Sequence, residues 1–319
     1  MSTVSLFYSI EHNLFQFGGP ILAAVGTISC ILNLMVFTKS SLRKNPCAIC
    51  LIAVNISNFL FIYFGLLFTI LATGYNIDPS SYNIFCCRFR FYIATVLPCY
   101  ESSCLILASI DRTLLTSSNA TTRQRSTRRA TIISIISICL FWTVFHVHAW
   151  VFTQIQEYGP NYFVCFNQPG AYTVFITYYS LTINGIIPPA LMTIFGCWTV
   201  KNIRQARRIG QRLTAVHTGI IAVGRPHILQ SKDQQLIRML LVDTITYVIC
   251  KSPLIILYIY EQITQYTEKS AEQLAIEQAI LQITYFLFFT ESCIGCYTNI
   301  LVSKTFRKEV KRILTNTRL

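Results

Sequence analysis

Apolar and polar residues fall in long alternating blocks rather than at the short periods of a soluble fold. Seven mostly apolar stretches stand out, at roughly 17–38, 48–73, 87–110, 130–153, 171–199, 235–260 and 277–302; a helix needs about 20 such residues to cross the hydrocarbon of a bilayer. Lipid offers no hydrogen-bond partner to a stray backbone group, so runs of this length are expected as helices. The pattern predicts an all-α membrane protein with a seven-helix bundle over 17–302, a tail over 1–16 and a closing segment over 303–319. No basic n-region or small-residue cleavage signature precedes the first stretch, so no cleaved signal peptide is expected. A tail of about 16 residues is too short to be a ligand-binding domain of its own.

Composition agrees. Hydrophobic residues make up 53% of the chain and charged residues 12%, against about a quarter charged in soluble domains. Lysine and arginine are distributed unevenly. Of 26, 22 lie in the segments that follow stretches one, three, five and seven, while Arg88, Arg90 and Lys269 lie on the other side and Lys251 inside a stretch. The positive-inside rule then places the amino terminus outside and the carboxy terminus in the cytosol, with the plasma membrane as the expected location. The net charge of +13 sits beside lipid headgroups and is no argument for nucleic acid as a partner. Within the third cytosolic segment, about 201–234, the uncharged stretch Leu213–Gly224 fits either an interfacial helix or a disordered loop.

Candidate chemistry is sparse. Five histidines show no metal-ligand spacing, since His146 and His148 point to different helix faces, and no glycine-rich loop is placed to cradle phosphate. Neither an enzyme nor a cofactor is expected. A transporter or channel of similar span count would favour internal repeats with broken helices, and neither is visible. Most of the 13 cysteines lie in apolar stretches, where thiols pack as small hydrophobes. On the expected outer side are Cys86, Cys87 and Cys165, where an oxidising compartment permits a bridge.

Asp111-Arg112-Thr113 ends the third stretch, 25 residues after Cys87. Asn33 lies in the first stretch, Trp142 in the fourth, Pro188-Pro189 in the fifth, Cys250-Lys251-Ser252-Pro253 in the sixth, and an amphipathic segment runs from Ser303 to Leu314. Together these resemble a rhodopsin-like (class A) G-protein-coupled receptor over nearly the whole chain. The resemblance implies an Asp111-Arg112 switch with Thr113 in its third place. It also implies helix kinks at Pro188 or Pro189 and at Pro253, and an eighth helix along the inner leaflet. A Cys87–Cys165 bridge would pin the second outer loop over the bundle mouth; Cys86 competes as partner, and the spacing to Arg112 favours Cys87. Implied partners are a heterotrimeric G protein, an extracellular ligand and the bilayer.

Departures from the family pattern cluster at mid-membrane. Asn58 stands where the family has a sodium-binding aspartate. Glu101 lies 11 residues before Arg112 at a usual serine, Lys251 replaces the switch tryptophan, and Glu291 falls near the same level. Intramembrane charges seek partners, so a Lys251–Glu101 or Lys251–Glu291 contact is expected in place of the ion, ahead of direct ligand contact. Asp243 reaches either the Arg112 layer or the cytosolic interface. In the seventh stretch Tyr297 is kept and the Asn-Pro pair before it is missing, while Gly196 and Cys197 replace a fifth-stretch tyrosine. Ala94 stands where amine receptors have an aspartate, and no lysine occurs in 277–302 for a retinal Schiff base. An aromatic, mildly acidic mouth that includes Tyr92, Tyr158, Tyr162, Tyr178, Tyr258 and Glu261 points to a neuropeptide or other small soluble ligand. The alternatives are a seven-helix binding protein that does not couple, and the transporter or channel.

Overall fold

The computed structural model describes residues 3–316 apart from 41, 160–161, 217–230 and 265–266. Among the described residues, seven helices are long and apolar enough to cross a membrane: α1 Ser5–Phe37, α2 Pro46–Gly74, α3 Ile84–Thr116, α4 Arg128–Phe152, α5 Ala171–Ala206, α6 Gln234–Thr264 and α7 Ala271–Val302. An eighth, α8, spans Lys304–Asn316. The first helix reaches back to Thr3, so most of the stretch read from the sequence as a tail is helical. The Leu213–Gly224 stretch lies largely outside the described residues, as do the side chains of Tyr158 and Tyr162.

A two-stranded antiparallel hairpin, β1 Thr153–Gly159 and β2 Tyr162–Asn167, joins α4 to α5. Sequence reading treated this segment as plain loop. Cys165 on β2 is disulfide-bonded to Cys87 in the first turn of α3, and Arg88 Nε donates to the Thr153 carbonyl at 3.3 Å. Both contacts fix the hairpin to one end of the bundle. The opposite end carries Arg112 and α8.

Two apolar clusters form the core. Toward the hairpin end Phe15, Leu22, Ile62, Leu66, Leu97 and Phe289 pack together. Toward the Arg112 end Phe37, Leu51, Leu105, Leu236, Tyr247, Phe306 and Val310 do so. Asn58 and Glu101 sit between members of the two clusters along α2 and α3, and Glu291 lies beside Phe289 and Cys293 on α7, so a polar layer interrupts the core. Helix contact is close where side chains are small. A methyl group on Gly26 would lie 2.6 Å from Cys293 Sγ and 2.7 Å from Ile62 Cδ1, which is how α1 meets α7 and α2.

Prolines distort two helices in the same way. A proline has no N–H and its ring crowds the carbonyl four residues earlier. Wide π-helical turns at Leu14–Gly18 and Ser180–Ile186 absorb that crowding just before Pro20 and the Pro188-Pro189 pair. The carbonyls left without donors are satisfied by tyrosines: Tyr75 Oη donates to Gln16 O and Tyr247 Oη to Asn184 O, each at 3.3 Å. Asn184 has a proline at both the fourth and fifth following positions, so a donor from another helix replaces the ladder bond.

Candidate functional site

The polar layer is built around a charge cluster. Lys251 Nζ lies 3.0 Å from Glu101 Oε2 and 3.2 Å from Glu291 Oε2, with the three side chains 3–7% exposed. The ammonium also stands 4.2 Å above the Tyr247 ring and 4.7 Å from that of Phe288, aromatic faces that favour a cation. Three helices are thus tied at one point, α3 by Glu101, α6 by Lys251 and α7 by Glu291. Sequence reading offered the two carboxylates as alternatives, and the structure engages both.

Beside it runs a second, neutral network. Asn33 Nδ2 donates to Asn55 Oδ1 at 2.8 Å, and Asn299 Nδ2 donates to Asn33 Oδ1 at 3.3 Å, joining α1, α2 and α7. Ser29 Oγ accepts from the Cys296 amide at 2.9 Å. Asn58, also buried, has no hydrogen-bond partner for its Oδ1 among the described residues. Sequence reading named Asn33 and missed Asn55 and Asn299; asparagines on facing apolar stretches were the available signal. Asp243 lies on α6 and is partly buried.

At the far end of α3, Arg112 is 1% exposed. Its Nη2 donates to Asp111 Oδ2 at 2.6 Å and to Asn45 Oδ1 at 2.7 Å. Ser126 Oγ donates to the other Asp111 oxygen, Oδ1. The Thr113 hydroxyl lies 3.0 Å from that of Thr199 and donates to the Phe195 carbonyl at 3.1 Å, docking α5. Asn45 also caps α2 by accepting from the Cys47 amide at 3.1 Å. Sequence reading passed over it, although Asn45-Pro46 is a helix-start signal.

Switch residues elsewhere are scattered. Pro253 lies within α6, two residues beyond Lys251. Tyr297 does not face the Arg112 layer; it is 37% exposed and donates to the Val25 carbonyl of α1 at 3.3 Å. Trp142 Nε1 donates to Ser103 Oγ at 2.9 Å, holding α4 to α3.

Among the described residues, those named for a ligand mouth make separate contacts. Tyr92 Oη donates to the Thr143 carbonyl at 2.9 Å, which turns it toward α4. Ala94 is exposed on α3 and Tyr178 is 52% exposed on α5. Tyr258 pairs with Tyr285 at 3.0 Å between α6 and α7, and Glu261 lies half-buried one turn along. Nearer the centre is a cluster that sequence reading missed. His146 Nε2 lies 3.0 Å from Tyr179 Oη, and Cys99 Sγ lies 3.1 Å from Asn184 Oδ1 and 3.6 Å from the same hydroxyl. A groove of about 910 Å³ opens elsewhere, between the Arg112-end halves of α5 and α6, with Lys201 and Arg204 on its wall.

Seven membrane-length helices, a hairpin pinned by a disulfide at one end and a buried Asp-Arg pair at the other define a multi-pass membrane protein of receptor architecture. The family model described as 7 transmembrane receptor (rhodopsin family) matches residues 30–295, and the chain belongs to that family of G-protein-coupled receptors. No curated protein matches the chain significantly.

Proposed function

We propose that this receptor binds an extracellular ligand and activates a heterotrimeric G protein, and that it does so at the plasma membrane with its amino terminus outside and its carboxy terminus in the cytosol. The observation that carries the reading is the Asp111-Arg112 pair, buried and bridged to α2 through Asn45, at the end of the bundle where basic residues concentrate. A charge-assisted pair held by several neighbours has two discrete states, closed or released. In the closed state the guanidinium is held by Asp111 and Asn45; release would present it to an acidic or carbonyl-rich helix end of a G protein. A ligand at the opposite end favours release only by binding the open arrangement more tightly. We assign residues 1–16 to the outer segment, 17–302 to the receptor domain and 303–319 to the cytosolic helix and tail.

The charge cluster fits the same scheme. Lys251 would take the place of a sodium ion in cross-linking α3, α6 and α7, so that movement of α6 must strain or break two ion contacts. The ligand chemistry rests on the tyrosine-rich hairpin end: aromatic rings with polar tips suit a peptide or other small soluble ligand, and Ala94 provides no counter-ion for an amine. A screen of peptides and small metabolites tests this in cells bearing wild type or Arg112→Ala. Nucleotide exchange that the variant loses supports the reading. Ion or solute flux without exchange would instead favour the transporter alternative, and ligand binding without exchange a receptor that does not couple.

A further inference from the structure

The charge cluster between α3, α6 and α7 does not balance as drawn. Glu101 and Glu291 face a single ammonium at 3.0 and 3.2 Å, and all three side chains are nearly sealed from solvent. The other titratable groups around it are Cys30 from α1, Cys99 and Cys104 from α3, Asp243, Tyr247 and Cys250 from α6, and Cys293 from α7. None of these can supply a positive charge, and α2 brings the neutral Asn58 to this level. Two ionised carboxylates and one ammonium would leave a net negative charge buried in the membrane, a costly state.

Geometry offers a resolution. Glu101 Oε2 and Glu291 Oε2 approach the same ammonium, at 3.0 and 3.2 Å, which brings the two carboxyls side by side. Ionised carboxylates only accept hydrogen bonds and repel at such range, so a contact between two of them calls for a proton. Glu101 Oε1 is buried and otherwise has no hydrogen-bond partner among the described residues.

We propose that Glu101, Lys251 and Glu291 form a proton-binding site, in which one proton taken from solvent is held between the two carboxyls while Lys251 stays charged. The cluster is then neutral, and Lys251 bridges one carboxylate and one carboxylic acid. Removing either glutamate removes the need for the proton, because one carboxylate then balances one ammonium. Removing the lysine forces a second proton in. This site is independent of coupling, and its test needs neither ligand nor G protein.

Infrared spectroscopy of the purified receptor in lipid nanodiscs at neutral pH reads the proton directly, through the carbonyl stretch of a protonated carboxylic acid. Wild type should show that band, sensitive to deuterium exchange and shifted by ¹³C-glutamate labelling but not by ¹³C-aspartate labelling. Glu101→Gln and Glu291→Gln should each abolish it, Lys251→Met should double it, and Asp243→Asn should leave it in place. The proposal is overturned if wild type has no glutamic-acid band, if the band survives both glutamine variants, or if sodium at physiological concentration removes it, which would make a metal cation the missing charge. The labelled wild type decides the first and third points even where a variant fails to fold.

Discussion

Replacing Lys251 with methionine keeps the length of the side chain and removes the cation shared by Glu101 and Glu291. Breaking one side of a buried ion pair costs about 3–5 kcal/mol, because the partner is left charged in a dry site. The orphaned carboxylate can escape by taking a proton. From an ordinary glutamate value near 4.3, that costs about 1.36 kcal/mol for each of roughly 2.7 pH units at neutrality, or about 3.7 kcal/mol. The two routes agree, and a loss of this size lowers the melting temperature by on the order of 10 °C. Eight free cysteines are buried, so a thiol-reactive fluorophore reports unfolding in detergent. Adding Glu291→Gln to Lys251→Met should recover most of the loss, since only one carboxyl then has to carry a proton, as in wild type. Sign follows from proton count: at neutral pH Lys251→Met takes up two protons at this cluster on folding where wild type takes up one, so its deficit relative to wild type shrinks as pH falls. Melting of Lys251→Met within about 2 °C of wild type, or a double variant as unstable as the single, would refute the account of the cluster.

Further outcomes follow from single contacts. Cys87→Ser and Cys165→Ser should each destabilise the receptor by about 2–5 kcal/mol and cut its surface expression, while Cys86→Ser should do neither; flow cytometry of tagged receptors checks this. Gly26→Ala forces a methyl into Cys293 and Ile62 and should cost about 1–3 kcal/mol in the same melting assay. Tyr247→Phe keeps the ring beneath Lys251 and removes the hydroxyl from the Asn184 carbonyl, for a loss of about 1–3 kcal/mol. A melt unchanged by Tyr247→Phe would mean that water or another group satisfies that carbonyl.

The sequence was most legible where one physical constraint dominates. Span length and the lysine-arginine asymmetry are imposed by the bilayer, so seven helices could be read from apolar runs alone. Glu101, Lys251 and Glu291 drew notice because a charge in a membrane helix needs a partner, although register along α7 could not be fixed from sequence and the triad therefore read as two competing pairs. What escaped notice were neutral polar groups. Asn55, Asn299, Asn45 and Ser126 are ordinary residues by type, and only the packing of several helices reveals that they complete the Asn33 and Arg112 networks. The hairpin Thr153–Asn167 escaped because a short pair of strands stapled to α3 has a weak alternation signal. Tyr297 shows the opposite failure: a residue matched by position along the helix turned out to face α1, since helix rotation is set by neighbours rather than by spacing.

The central claim is that the closed Asp111-Arg112 pair is a coupling switch, and the most direct measurement is nucleotide exchange on a purified heterotrimeric G protein by receptor in nanodiscs. Wild type should accelerate exchange, at least basally. Asn45→Ala, which frees one side of the guanidinium, should raise basal exchange, and Arg112→Ala should abolish it while ligand-independent folding, read by melting, is retained. Exchange unaffected by Arg112→Ala in a folded receptor would contradict the account and move the switch away from this pair.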